Sequence, residues 1–140
     1  MEYKDYKHFL PIQIRFNDVD RLNHVNNACY LSFFELGRVH YFNDVLKRTV
    51  NWDKTGFILA RTEVDHLEPV FLQDEIYCFS KVTKLGNKSM TMKNAIVRKE
   101  NGVLTECAAG VFILVAMDYE ANASVPVPTE WRAFIENFEK

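Results

Sequence analysis

The chain is 140 residues long, carries a formal net charge of −2, and is 48% hydrophobic and 14% aromatic. That is enough chain to bury a core as one folded unit over residues 1–140, and it excludes a disordered or collagen-like polymer. So small a charge gives no global field to recruit nucleic acid or an anionic membrane, and no apolar run approaches the roughly 18 residues of a membrane helix.

Three cysteines, Cys29, Cys78 and Cys107, are odd in number and lack metal-ligand spacing. His8, His40 and His66 show none either, so no metal is expected. Free thiols and an N-terminus without an apolar export core place the expectation in the reducing cytoplasm.

In chain order, Ile12, Ile14 and Phe16 alternate with Gln13 and Arg15, which predicts a half-buried strand. The polar stretch "NDVDRLNHVNNACY" follows, Asn17 to Tyr30. From about Asn27 to Leu46 apolar residues cover most of a helical wheel, which predicts a long helix buried on several sides. Asn26 or Asn27 is its cap, since an asparagine oxygen can accept from the orphan N–H groups of the first turn. Gly37 costs roughly 1 kcal/mol against alanine in mid-helix and so predicts close approach by a neighbour.

Beyond Gly56 the chain is β-rich. "FILARTEVDHL", "EIYCFSKVTKL", "SMTMKNAIVRK" and "VLTECAAGVFILVAM" predict four strands, with turn chemistry in "LGNK" and, more strongly, at Asn101-Gly102. "VPVPTEW" leads into a short terminal helix with Thr129 as its cap. The class is α+β: an antiparallel sheet of about five strands curled around one helix. Such a sheet leaves strand edges open, which predicts a homodimer, or a homotetramer built from dimers, with sites at the subunit interface.

The polar stretch has two readings on residue types alone. Asp18 and Asp20 are common turn formers, Asn26 and Asn27 caps, and His24 a satisfied structural histidine. Alternatively, a carboxylate at Asp20 beside a helix N-terminus, whose free N–H groups favour negative charge and can polarise a carbonyl, is a minimal site for hydrolysing an activated ester. An EF-hand is excluded, because neither aspartate is followed by both a glycine at loop position 6 and a glutamate at 12. A phosphatase D-x-D nucleophile is excluded by the missing βαβ rhythm.

Arg15, Asp18, Asp20, "HVNNACY" at 24–30 and the Phe34-Glu35…Arg38 stretch resemble the signature of the 4-hydroxybenzoyl-CoA thioesterase-like acyl-CoA thioesterases. The resemblance is strong from Ile14 to Arg38 and consistent in strand order to Met117. It implies the hotdog fold, acyl-CoA as substrate with coenzyme A entering only as part of it, and no separate cofactor. It implies Asp20 as the catalytic carboxylate, nucleophile or general base, and the Asn27 backbone N–H as the donor to the thioester carbonyl. His24 is the further catalytic candidate, and Tyr30 a substrate contact that reads equally as core.

Two departures stand out: Arg21-Leu22-Asn23 replaces a small residue and glycine, and Gln73-Asp74 replaces Gly-Asp. Asn23 tolerates positive φ and can keep the turn. From Lys81 to Lys99 stand Lys81, Lys84, Lys88, Lys93, Arg98 and Lys99 with no acidic residue. They read as a solvated strand face or as a phosphate-binding hairpin. The resemblance favours the second, with Lys84, Lys88 and Ser89 binding the nucleotide, often across a subunit boundary. Cys29 is expected to be a structural thiol and Glu35–Arg38 a helix pair. Two other functions fit the fold: an acyl-carrier-protein thioesterase or dehydratase, and a non-catalytic acyl-CoA-binding protein.

Overall fold

A computed structural model describes all 140 residues. Strand β1 spans His8–Ile12 and helix α1 Asn27–Val45; β2 (Thr55–His66), β3 (Glu75–Leu85), β4 (Ser89–Glu100) and β5 (Val103–Asp118) follow. A two-residue β6 (Ala123–Ser124) and helix α2 (Thr129–Glu139) complete the chain. The sheet runs β1-β3-β4-β5-β2, every neighbour antiparallel, with β6 beside β5. This is the sheet-around-helix arrangement of a hotdog fold.

The predicted first strand is displaced. β1 lies earlier, ends at Ile12, and pairs with β3 up to Ile12↔Ile76. β3 begins at Glu75, so Ile14 and Phe16 have almost no partner strand left. The chain instead tightens into a single 3₁₀ turn at Phe16–Asp18, leaving Phe16 80% exposed. Local alternation could not report where the partner strand stops.

α1 packs on β3, β1 and β4. Its Phe34, Tyr41 and Phe42 join Ile76, Met90, Met92, Ile96 and Phe112 of the sheet in one core, which Trp131 and Ile135 of α2 close at one end. Each such side chain contributes about 1.5–3 kcal/mol on leaving water. Gly37 lets helix and sheet come close: a Cβ there would stand 2.4 Å from Cys78 Sγ. The other side of α1 stays open, with Leu31, Leu36 and Val39 each at least 40% exposed. Within one chain the sheet therefore covers only part of a helix that is apolar on most sides.

At the hairpin predicted by Asn101-Gly102, both residues take positive φ, 52° and 76°, and Glu100 pairs with Val103. α2 begins at Thr129 as predicted, but Pro128 holds the cap position and no side chain caps it. β2 is a twelve-residue edge strand with a bulge between Leu59 and Arg61, and its Ile58 and Leu59 are exposed. No helix is long and apolar enough to cross a membrane.

Candidate active site

Asp18 anchors the segment that leads to α1. It is 2% exposed; its carboxylate accepts from the Arg15 backbone N–H at 2.8 Å and from the Arg15 guanidinium at 2.9 Å. That arginine holds the Asp18 carboxyl below the usual carboxylate range. The Asp18 carbonyl accepts from Asn26 N–H at 2.7 Å, which ties the helix start back to the 3₁₀ turn.

Between these anchors the chain makes a loop pinned by bridges Val19↔Val25 and His24↔Phe71. Asp20 N–H donates to the His24 carbonyl at 2.8 Å. In return Asp20 Oδ1 accepts from the N–H of Leu22 at 2.9 Å and of His24 at 3.2 Å, while Oδ2 has no partner. Asn23 takes φ 64°, the left-handed conformation expected of it. The two departures from the family pattern meet here, since Asn23 Nδ2 donates to Gln73 Oε1 at 3.3 Å.

Asn26, not Asn27, is the cap; its Oδ1 accepts from Ala28 N–H at 3.1 Å. Asn27 is the first helical residue, and its backbone N–H has no acceptor within the chain. Asn27 itself lines a cleft of about 180 Å³, together with His24, Tyr30, His66, Glu68 and Pro69, among others. Tyr30 and His66 meet edge to face at 4.8 Å between centroids. Three predicted residues, His24, Asn27 and Tyr30, are thus brought together. Asp20 stands on the exposed loop beside Arg21 and Leu22, seven residues ahead of the helix. The carboxylate and the helix N-terminus flank one loop; they do not share one cavity within the chain.

The predicted nucleotide residues lie elsewhere. Lys84 sits beside Ile135, Glu136 and Glu139 of α2. The hairpin carrying Lys88 and Ser89 is tied to α2 by Arg132, which donates to the Gly86 carbonyl at 2.7 Å. The other end of β3 adjoins Asp74 and Phe71, against which His24 is bridged. At about 3.3 Å per residue, the eleven residues of β3 put the two ends roughly 35 Å apart. Within a single chain, therefore, Lys84, Lys88 and Ser89 do not meet Asp20, His24, Asn27 or Tyr30.

Arg98 is the basic residue that does reach the cleft wall. It donates to the Pro69 carbonyl at 3.0 Å and to Glu68 at 2.8 Å. Sequence reasoning counted Arg98 only within the basic stretch and His66 only as lacking metal-ligand spacing, because their relation to Asn27 comes only from strand pairing across the fold. Cys29 is a structural thiol: burial and the nearby Asp18 carboxylate push its pKa up, away from a thiolate. Glu35 and Arg38 form no ion pair; the Arg38 guanidinium lies 4.3 Å from the Phe112 ring centroid instead.

Residues 14–135 match the family model of the thioesterase-like superfamily. The chain belongs to that superfamily. A thioesterase of Thermus thermophilus, solved in complex with coenzyme A and Zn, is 31% identical to this thioesterase-like chain, with a TM-score of 0.84 over 98% of this chain and 97% of its own. The long-chain acyl-CoA thioesterase FadM of Escherichia coli strain K12 is 24% identical over 132 residues, 92% of this chain and 97% of FadM. A 4-hydroxybenzoyl CoA thioesterase mutant complexed with 4-hydroxybenzoyl CoA superposes with a TM-score of 0.83 over 91% of this chain and 97% of its own. At 14% identity that likeness concerns the fold alone. The enzyme class expected from the sequence is that of the superfamily: thioester hydrolysis.

Proposed function

We propose that the chain is an acyl-CoA thioesterase that releases a free acid and coenzyme A. The observation that carries the reading is the Asn27 N–H, an unpartnered backbone donor at the start of a nineteen-residue helix, in a residue that lines a cleft beside the Asp20 loop. A thioester carbonyl accepting from that N–H gains negative charge on oxygen as the acyl carbon is attacked, and the fixed donor stabilises that charge. Asp20 Oδ2, free while Oδ1 holds the loop, supplies the attack or takes the proton from water. His24, whose N–H closes the loop on Asp20, positions the carboxylate, and Tyr30 forms the cleft wall.

Assembly completes the site. The β2 edge and the open face of α1 bring a second copy alongside, as a homodimer or a pair of dimers. The partner's hairpin then supplies Lys84, Lys88 and Ser89 to the phosphates, which accounts for their distance from the cleft in one chain. No cofactor beyond the substrate's own coenzyme A enters the mechanism, and the setting is the cytoplasm.

Thiol release over a panel of short, long and aromatic acyl-CoAs tests the reading. Turnover of at least one class is expected. Tight binding of the panel with no free thiol would replace it with an acyl-CoA-binding protein, and hydrolysis confined to acyl-carrier-protein thioesters would change the substrate. Label from ¹⁸O-water entering the Asp20 carboxylate under single turnover would mark the anhydride route.

A further inference from the structure

Arg38 is a buried charge without a polar partner in the chain. It is 6% exposed, its Nη1 is buried without a partner, and none of its nitrogens makes a hydrogen bond or ion pair within the chain. The guanidinium rests on the Phe112 ring, and Glu35 one turn earlier leaves it unpaired. A buried cation with unused donors is strongly unfavourable unless an acceptor arrives from outside the chain.

Arg38 lines a cavity of about 430 Å³ that is walled mainly by Phe42, Trp52, Phe57, Leu59 and Leu114, with Glu35 also on its lining. The place of this cavity matters. α1 and β2 run antiparallel along one seam: Tyr30 meets His66 at one end and Phe42 meets Phe57 at the other. The Asn27 cleft and the Arg38 cavity therefore lie along the same helix. The eleven helical steps from Asn27 to Arg38 separate them by roughly 16 Å, a span for an acyl chain of about a dozen carbons.

We propose that Arg38 is a specificity-determining residue that receives an oxygen acceptor on the distal part of the acyl group, so that ω-hydroxyacyl or ω-carboxyacyl chains are preferred to plain ones. This rests on the thioesterase reading of the Asn27 cleft. The apolar walls take the methylenes, and the guanidinium donates a charge-assisted hydrogen bond to a hydroxyl or carboxylate oxygen. A plain chain fills the same space but leaves the guanidinium unpaired, which is how a polar site rejects an analogue lacking the matching group. Of the residues lining the cavity, Val39, Trp52 and Leu59 are each at least 40% exposed, whereas Arg38 is 6% exposed.

The test compares dodecanoyl-CoA, 12-hydroxydodecanoyl-CoA and the mono-CoA thioester of dodecanedioic acid. Affinities are taken by titration calorimetry on Asp20→Asn protein, and kcat/KM on the unsubstituted enzyme. At least one oxygenated chain is expected to bind about tenfold or more tightly than the plain one. Arg38→Met should bring that ratio to about one, and Arg38→Lys should restore part of it. Equal affinities without the Arg38 change, or a preference that survives Arg38→Met, would overturn the inference. So would an intact ratio when Arg38→Met and Glu35→Gln each dissociate the oligomer, since the acceptor would then belong to a second copy. Should Arg38→Met fail to fold, the three-ligand ratio with Arg38 present still decides. A binding preference without any thiol release would sink the thioesterase reading and leave this one standing; thiol release with a flat ratio would do the reverse.

Discussion

Asp18 and Asp20 stand two residues apart and are used in opposite ways. Asp18 is buried, with its carboxylate spent on Arg15 and its carbonyl on Asn26. Asp20 is exposed on a loop that one of its carboxylate oxygens closes, and the other oxygen is free. The difference shows that a carboxylate's availability for chemistry is set by what the backbone around it demands, and the D-x-D spacing contains none of that. One aspartate builds the junction; the other keeps a free oxygen, which the proposed reaction would use.

The largest expected effect separates the pair on activity. Asp20→Asn keeps an acceptor for the Leu22 and His24 N–H groups, so the loop should hold while kcat falls on the order of 10²–10⁴-fold. Asp18→Ala should act on stability: losing hydrogen bonds to a charged partner and to a backbone donor costs about 1.5–3 kcal/mol, seen as a drop of several degrees in Tm. Its kcat, measured on folded protein, should fall far less than that of Asp20→Asn.

Acid sharpens the contrast. Asp18 titrates below its unfolded value near 3.9, so its contribution is whole above that value and fades as pH falls through the folded-state value. The Tm gap between the unsubstituted protein and Asp18→Ala should therefore be constant at neutral pH and close in strong acid. A gap independent of pH would mean that the Arg15 pair is not what stabilises the junction.

Asn26→Ala removes the cap and should cost about 1 kcal/mol. Because the cap also fixes the first helical turn, kcat should fall with it; a Tm change without a kcat change would separate the Asn27 N–H from the reaction. Smallest is Asn23. At φ 64° alanine is strained while glycine is not, so Asn23→Ala should lower Tm slightly more than Asn23→Gly. Equal melting temperatures would show that the Gln73 contact, lost in both, matters more than the backbone.

Local features were legible in the sequence. The long apolar helix, the four long strands, the Asn101-Gly102 turn, a cap at Asn26 or Asn27, the left-handed Asn23 and the close approach at Gly37 all follow from residue type and its immediate neighbours, though not that one side of the helix stays open. What escaped depends on partners distant in the chain. β1 stops where β3 begins, so "IQIRF" alternates without forming a strand. The basic hairpin lies a whole strand length from the junction, which composition cannot report. Arg38 stacks on Phe112 because the sheet presents that ring, overriding a Glu35–Arg38 pair that helical spacing permits. Arg98 and His66 reach the cleft only through strand pairing.

The central claim is that Asp20 does chemistry from a junction that Asp18 holds together. Its most direct test is kcat of Asp20→Asn, by thiol release at saturating acyl-CoA, in protein whose Tm equals that of the unsubstituted chain. The account predicts turnover lower by orders of magnitude at unchanged Tm. Turnover close to that of the unsubstituted enzyme would contradict it and return Asp20 to the role of a turn residue.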